Sequence, residues 1–125
     1  MRPIGQTVWC VPGGHVPLQS TGHEPEFTSR DELCFLNVAD KDAQVSLTIY
    51  YADREPVGPY RLLIAARRCR NVRINDLIEP EAVPLDTDYG ALIESDVPIV
   101  MQFSRLDSST GSVETSMSSP YCEQT

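Results

Sequence analysis

The chain has 125 residues, of which 41% are hydrophobic and 22% charged, as is typical of one globular domain. Its longest apolar runs, such as Leu62 to Ala66, are about five residues, far below the roughly 18 to 20 that cross a bilayer. Eighteen acidic and ten basic residues give a net charge of −8, which disfavours binding to nucleic acid or anionic lipid. We therefore expect a soluble single-domain protein.

The cysteines and the amino terminus indicate where such a protein resides. Cys10, Cys34, Cys69 and Cys122 form no CxxC pair and have no metal-ligand spacing, so we expect reduced thiols, no metal and no cofactor. The first nine residues lack the continuous apolar stretch of a signal peptide. Reduced cysteines without a leader predict a cytoplasmic location.

The first third of the chain contains two predicted strands. Thr7 to Val11 is β-prone around Trp9 and is followed by a Pro-Gly-Gly segment that should end it. A tryptophan beside such a loop either belongs to the core or forms the floor of a pocket. A short edge strand is predicted at Phe27 to Ser29, and a clear one at Glu32 to Val38. The polar turn from Asn37 to Ala43 predicts a hairpin with the strand that follows.

The segment from Gln44 to Leu77 is predicted to be strand, stiff turn, strand, strand. Apolar and polar residues alternate after Gln44 with the period of two that is typical of a half-buried strand. Asp53 to Pro59 contains two prolines and a glycine and should form a preset loop. Tyr60 to Ala65 and Arg67 to Ile74 are the next two predicted strands.

The last strong strands should be Tyr89 to Ser95 and Val97 to Leu106, separated at Asp96. Pro98 implies that the second of them begins a ladder or lies at an edge. One helical turn at residues 75–79 and an irregular acidic loop at residues 79–88 should precede them. From these elements we predict an all-β, antiparallel, jelly-roll-like β-sandwich over residues 1–107, with little helix. Residues 108–125 are predicted to be a Ser/Thr-rich tail, part of which forms a last strand before a disordered end.

Two features predict contacts with other molecules. Leu62 to Ala66 and Val97 to Met101 are apolar at consecutive positions, so both faces of these strands need cover, which a homo-oligomer would supply. Half of the basic residues also lie within thirteen positions: Arg61, Arg67, Arg68, Arg70 and Arg73. They either pair with the surplus acids or form a site for an anion or an acidic partner.

Several motifs resemble the sensory rhodopsin transducer family. They are IYYADREPVGPYRL, AARR, VRINDL and DTDYGALIESDVPIVMQFSRLD, together with the Trp9 strand and the loops that contain GHVP and EPEF. The resemblance covers most of the chain. It implies a small soluble β-sandwich that assembles as a tetramer and relays a signal from a membrane photoreceptor. It also implies kinship with small-molecule-binding domains, with carbohydrate as one ligand class.

The residues favour a binding protein over an enzyme. No nucleophile and base, paired acid and base, or metal set is evident, and no phosphate-binding glycine loop occurs. Sugar sites combine an aromatic face with carboxylates and planar donors. The candidate ligand-binding residues are Trp9, Tyr50, Glu55, Tyr60, Arg61, Arg68, Gln102, Arg105 and Asp107. Two alternatives are internal ion pairs among the charged members and a transducer that docks on a membrane photoreceptor without any ligand.

Overall fold

The computed structural model describes residues 4–17, 29–107, 114–118 and 121–122. Nearly all regular structure in this part of the chain is extended, and the one short exception is a 3₁₀ turn at Ile74–Asp76. The strands are β1 Gln6–Gly14, β2 Arg30–Asn37, β3 Ala43–Tyr51, β4 Val57–Ile64, β5 Arg68–Arg73, β6 Tyr89–Asp107, β7 Glu114–Ser118 and β8 Tyr121–Cys122. The predicted edge strand at Phe27 to Ser29 lies mostly outside the described residues.

The strands form two antiparallel sheets that share β6. The first sheet has the order β4-β3-β6-β1-β8, and the second has the order β5-β2-β6-β7. Apolar side chains that alternate along the strands face each other between the sheets, as the period-two pattern predicted. The prediction of an antiparallel β-sandwich is therefore confirmed. Two closing strands, β7 and β8, come from the tail after residue 107.

Strand β6 is one strand of 19 residues, where the sequence predicted two. Tyr89 to Ser95 pairs with β3 in the first sheet, and Val100 to Asp107 pairs with β2 and β7 in the second. Asp96 and Pro98 lie where the strand passes from one sheet to the other, and none of the described ladders uses Pro98. A proline is tolerated there because no ladder hydrogen bond is required of its nitrogen.

The predicted hairpin between β2 and β3 is wrong. The turn at residues 38–42 connects the two sheets, because β2 pairs with β5 and β6 whereas β3 pairs with β4 and β6. Asn37 supports this crossing. Its buried Nδ2 donates to Lys41 O at 2.8 Å and to Ile64 O at 3.1 Å, which joins the end of β2 to the end of β4. Polar turn residues predict that the chain reverses, but not which sheet the next strand enters.

Two predicted loops are partly strand. The Pro-Gly-Gly segment belongs to β1, which continues to Gly14, and β4 begins at Val57 and includes Pro59 after a cis peptide bond. Both segments coincide with irregular register, between Val11 and Gly14 in one case and opposite Leu47 to Ile49 in the other. Such irregularities accommodate glycine and proline within a strand.

The core lies between the inward faces of the two sheets. Its fully buried side chains include Leu33, Phe35, Val45, Leu47, Ile49, Tyr60, Ile64, Ile74, Ile93 and Ile99. The outer faces keep several large apolar side chains exposed, among them Leu36, Tyr50 and Leu63. The consecutive apolar positions in β4 thus divide between the core, which takes Ile64, and the surface, which takes Leu63.

Most of the hydrogen-bonded charged and tyrosine side chains lie at one end of the sandwich. We call it the apical end and define it by residues 13–17, 29–31, 51–57, 74–89 and 105–107. The registers Gly14 opposite Tyr89 and Tyr51 opposite Tyr89 bring three strand ends together there. The irregular acidic loop predicted before β6 also lies at this end.

Candidate functional site

A buried carboxylate lies at the centre of the apical end. Asp31, near the start of β2, has no solvent exposure. Its Oδ2 accepts hydrogen bonds from the backbone N–H of His15 at 2.8 Å and from the Tyr89 hydroxyl at 2.7 Å. Its Oδ1 accepts from Arg105 Nε at 3.0 Å. A buried charge is stable only with such partners, so Asp31 ties β1, β2 and both ends of β6 together.

Arg105 is the charge partner of Asp31 and remains accessible. Its Nη2 donates to the carbonyl of Gly13 at 2.8 Å, and its guanidinium carbon lies 5.7 Å from the centre of the Phe103 ring. The side chain is 30% exposed. The hydrogen bond to Asp31 raises the pKa of Arg105, so the group stays charged. A guanidinium fixed in this way can present its remaining N–H groups to a ligand at low entropic cost.

Tyr89 completes the polar group beneath Arg105. Burial raises the pKa of its phenol, and the neighbouring Asp31 carboxylate raises it further, so the hydroxyl remains a neutral donor. The ring lies directly against Gly14: a Cβ on that residue would be 2.0 Å from Cζ of Tyr89. Glycine is therefore required at the end of β1 for the ring to reach Asp31.

His15 and two aspartates form a polar rim above the buried group. The Nδ1 atom of His15 lies 2.8 Å from Asp88 Oδ1, and its Nε2 lies 3.6 Å from Asp86 Oδ1. The Asp86 N–H donates to Val16 O at 2.7 Å, which fixes the acidic loop against the segment after β1. Among the residues that the structure describes, the His15 ring is bonded to these two carboxylates and to no hydroxyl or thiol. The rim thus offers hydrogen-bonding groups of both kinds to solvent.

Two further tyrosines lie at the same end of the sandwich. The Tyr60 hydroxyl donates to the Glu81 carbonyl at 2.6 Å, and burial raises the pKa of Tyr60 to about 12. Tyr51 carries the guanidinium of Arg54 at 4.5 Å from its ring centre. Its buried hydroxyl has no hydrogen-bond partner among the described residues. These contacts anchor the acidic loop and the segment after β3.

Two of the predicted ligand-binding residues belong to the core. Trp9 is 7% exposed, and its Nε1–H is shared between Gln6 O at 3.1 Å and Ile99 O at 3.2 Å. This places Trp9 in the core, the first of its two predicted alternatives. Tyr60 is 1% exposed, with its hydroxyl bound to the backbone of residue 81. Neither ring offers a face to a ligand in this conformation.

The other predicted residues are spread over different surfaces. Tyr50 and Arg61 lie on the outer face of the first sheet, and Gln102 is exposed on the outer face of the second. Arg68 lies at the opposite end of the sandwich, opposite Asn37. Of the seven candidates outside the core, the apical end holds three, Glu55, Arg105 and Asp107. The nine residues therefore do not converge on one site, because alternation along strands sends neighbouring side chains to opposite faces.

The apical cluster includes residues that the sequence interpretation passed over. Asp31 precedes Leu33 and Phe35 by two and four positions, and the same alternation that buries these two places its carboxylate inward. The alternation could therefore have identified Asp31 from the sequence. No local pattern identifies His15 and Asp88 as neighbours, because their contact joins residues 73 positions apart.

Two kinds of feature are absent from the described residues. Within them, no group of three or more His, Cys, Asp or Glu side chains is arranged to hold a metal ion. The same part of the chain contains no helix long and apolar enough to cross a membrane. The four cysteines are present as free thiols.

The fold and this site define a small antiparallel β-sandwich with a buried Asp–Arg–Tyr group beneath a polar rim. The chain belongs to the Anabaena sensory rhodopsin transducer family, whose sequence pattern matches residues 4–121. The structure of the Anabaena sensory rhodopsin transducer is 45% identical, covers 82% of this chain and 99% of its own, and has a TM-score of 0.71. The crystal structure of Thermotoga maritima 1070 is 28% identical, covers 95% of this chain and 96% of its own, and has a TM-score of 0.85. No match was found among curated protein sequences.

Proposed function

We propose that this protein is a non-enzymatic cytoplasmic signalling protein that binds a small, hydroxyl-rich molecule, such as a carbohydrate, at its apical end. The single observation that supports the site is Arg105, whose guanidinium is fixed by Asp31 and Gly13 and is still 30% exposed. Next to it the His15 and Asp88 side chains supply a ring nitrogen and a carboxylate. Hydroxyl groups are recognised by such preset combinations of planar donors and acceptors.

A homo-oligomer is part of this proposal. The outer face of the first sheet carries a shallow apolar depression of about 270 Å³, lined by Cys10, Pro12, Tyr50, Gly90 and Leu92 among others. Tyr50 is 45% exposed in the single chain. Apolar surface of this kind favours association with a second copy. Membership of the transducer family supports the tetramer that the sequence resemblance implied.

Ligand binding is tested by thermal shift of the purified protein against sugars and nucleotides. The informative variants are His15→Gln and Asp88→Asn, which alter the rim and leave the buried Asp31 group intact. We expect at least one sugar to raise the Tm and both variants to abolish that shift while keeping the unliganded Tm within a few degrees. The matched control is Asp53→Asn, an exposed carboxylate paired with Arg54. A shift that survives both rim variants would place the ligand elsewhere.

A second candidate function is a transducer that docks on a membrane photoreceptor with no ligand. The family match favours it, since the similar structure is that of a sensory rhodopsin transducer. Co-sedimentation with a rhodopsin encoded in the same genome, in lipid nanodiscs, distinguishes the two functions. Light-dependent binding together with no thermal shift from any ligand would favour docking alone. Light scattering of the same preparation tests the oligomer, and a monomeric mass at micromolar concentration would refute it.

A further inference from the structure

The clustered arginines surround the open side of the sandwich. There β4 forms the edge of the first sheet and β5 the edge of the second, and in the part of the chain that the structure describes neither has a neighbour on its outer side. The stretch from Arg67 to Arg73 contains four arginines and no acidic residue. We define the arginine edge as β5 together with the preceding Arg67. The fifth arginine of the cluster, Arg61, lies nearby on β4.

These arginines have no ion pairs with the described residues. Arg54 and Arg105, by contrast, each form an ion pair with a carboxylate, and both lie at the apical end. In the arginine edge, Arg70 instead donates to Leu63 O at 2.9 Å and Arg68 to the carbonyl of the preceding residue at 3.0 Å. Among the described residues the surplus acids therefore form no ion pairs with this cluster, although Glu32 lies opposite Arg73 in the ladder of β2 and β5. Arg67, Arg68 and Arg70 thus form a cationic patch on a net-negative protein.

A cleft opens between the two edges. Its volume is about 270 Å³, and its walls include the apolar side chains of Leu62, Val72 and Leu77. Arg70 and Arg73 line the same cleft. Arg68, Arg70 and Val72 lie on one face of β5, opposite the inward-facing Asn37, Phe35 and Leu33 of β2. A segment lying along β5 would therefore place every second side chain beside Arg68, Arg70 and the cleft.

We propose that the arginine edge binds an acidic, extended segment of another polypeptide as an added strand beside β5. Backbone hydrogen bonds to the free edge would supply affinity, carboxylates would pair with Arg68 and Arg70, and one apolar side chain on the same face would enter the cleft at Val72. Opposite charge selects the partner, because four guanidinium groups along seven residues repel basic segments. Arg70 is partly fixed for this role by its bond to Leu63.

The same cleft argues against polyphosphate partners. Glu32 and Asp76 also line it and repel phosphates and carboxylates alike, so the acidic side chains of a partner have to lie toward Arg68, at the other end of β5. The net charge of −8 disfavours a polyanion with one charge on every unit, such as nucleic acid, more than a peptide that carries a few carboxylates among neutral residues. A free strand edge, in contrast, offers N–H and C=O groups that match a polypeptide backbone. An acidic peptide is therefore the best chemical match to the arginine edge.

The test uses the full-length protein and a fluorescent nine-residue peptide in which one face of the strand carries glutamate, glutamate, valine and glutamate and the other face carries only threonine. We expect saturable binding in anisotropy titrations, weakened by added salt. Two further probes have the central threonine replaced by proline, or the glutamates replaced by lysine, and neither should bind. Arg68→Gln and Arg70→Gln should each weaken binding about tenfold, the effect of one lost charge-assisted hydrogen bond. Lys41→Gln removes an exposed positive charge outside the arginine edge and should leave the affinity unchanged.

Several outcomes would overturn the proposal. Equal binding of the proline peptide would exclude strand addition, and an equal loss in Lys41→Gln would mean unspecific charge attraction. Stronger competition by inorganic phosphate or duplex DNA would assign the edge to another anion. Salt-sensitive self-association abolished by Arg70→Gln would make a second copy of this chain the occupant. If no peptide binds and the arginine variants aggregate, the charges serve only to keep strand edges of different molecules apart.

Discussion

Charged side chains are paired with one another at the apical end but not along the arginine edge. At the apical end a buried carboxylate is matched by a guanidinium and by two further donors, and the histidine above it contacts two aspartates. Along the arginine edge Arg68 and Arg70 donate to backbone carbonyls, and none of the guanidinium groups forms an ion pair with another described residue. The first region uses charge to fix the fold. The second exposes charge that the fold does not need.

The charges at the apical end therefore affect the stability of the fold, whereas those along the arginine edge affect the recognition of a partner. A buried charge loses its hydration and must recover that free energy from its partners, so removal of one partner is costly. An exposed guanidinium keeps its hydration and contributes little to folding. Substitutions at the two regions should therefore change different measurements: the free energy of unfolding in one case and the affinity for a partner in the other.

The largest expected effect comes from Asp31→Asn. The amide keeps the shape of the side chain but leaves Arg105 without its counter-charge and presents an NH₂ group to donors. We expect the free energy of unfolding to fall by about 3–5 kcal/mol, measured by urea denaturation. Asp53→Asn breaks the exposed pair with Arg54 and should cost less than about 1 kcal/mol. Equal losses in the two variants would contradict the central role of Asp31.

A smaller loss is expected from Gly14→Ala. The added methyl group would lie 2.0 Å from Cζ of Tyr89, so the ring has to move away from Asp31. Overpacking of this kind costs about 1–3 kcal/mol. The neighbouring Gly13→Ala is a matched control, because nothing lies within 4 Å of its added Cβ. If thermal unfolding gives the same Tm for both variants, the contact between residue 14 and the Tyr89 ring does not constrain the apical end.

The sequence predicts the fold better than it predicts the site, for a physical reason. Alternation of apolar residues is a local property of a strand, so the strands and the sandwich followed from it. The pairing of strands is not local. Asp96 and Pro98 have the composition of a turn, yet β6 continues through them because its two halves hydrogen-bond to different sheets.

The candidate site shows the same limit. Arg105 was identified by its residue type, and Asp31 was within reach of the alternation argument. Trp9 was the right type for a sugar site, but its indole N–H is used by the carbonyls of residues 6 and 99 in the core. Which side chains come together depends on which strands are neighbours, and the order of the strands cannot be predicted from any single segment.

High pH should weaken the apical end through Tyr60. Its pKa is raised from 10.0 to about 12 in the folded protein, so the neutral phenol stabilises the fold below pH 10. That contribution is lost as the pH rises from about 10 to about 12, because the unfolded chain then ionises first. Urea denaturation between pH 8 and 12 should show this decline, and it should be shallower in Tyr60→Phe. Tyrosinate absorbance in the wild type that rises fully by pH 10.5 would contradict the burial of this phenol.

The smallest effect, with the opposite sign, is expected from Arg68→Gln at the arginine edge. Arg68 and Arg70 are separated by one residue and therefore lie on the same face of β5, where like charges repel. Removal of one charge should raise the free energy of unfolding slightly, by at most about 0.5 kcal/mol at low salt, and the gain should vanish at high salt. Urea denaturation at low and at high ionic strength measures the gain in the free energy of unfolding and its loss. A loss above about 1 kcal/mol would mean that Arg68 supports the fold, and the contrast between the two regions would then fail at this position.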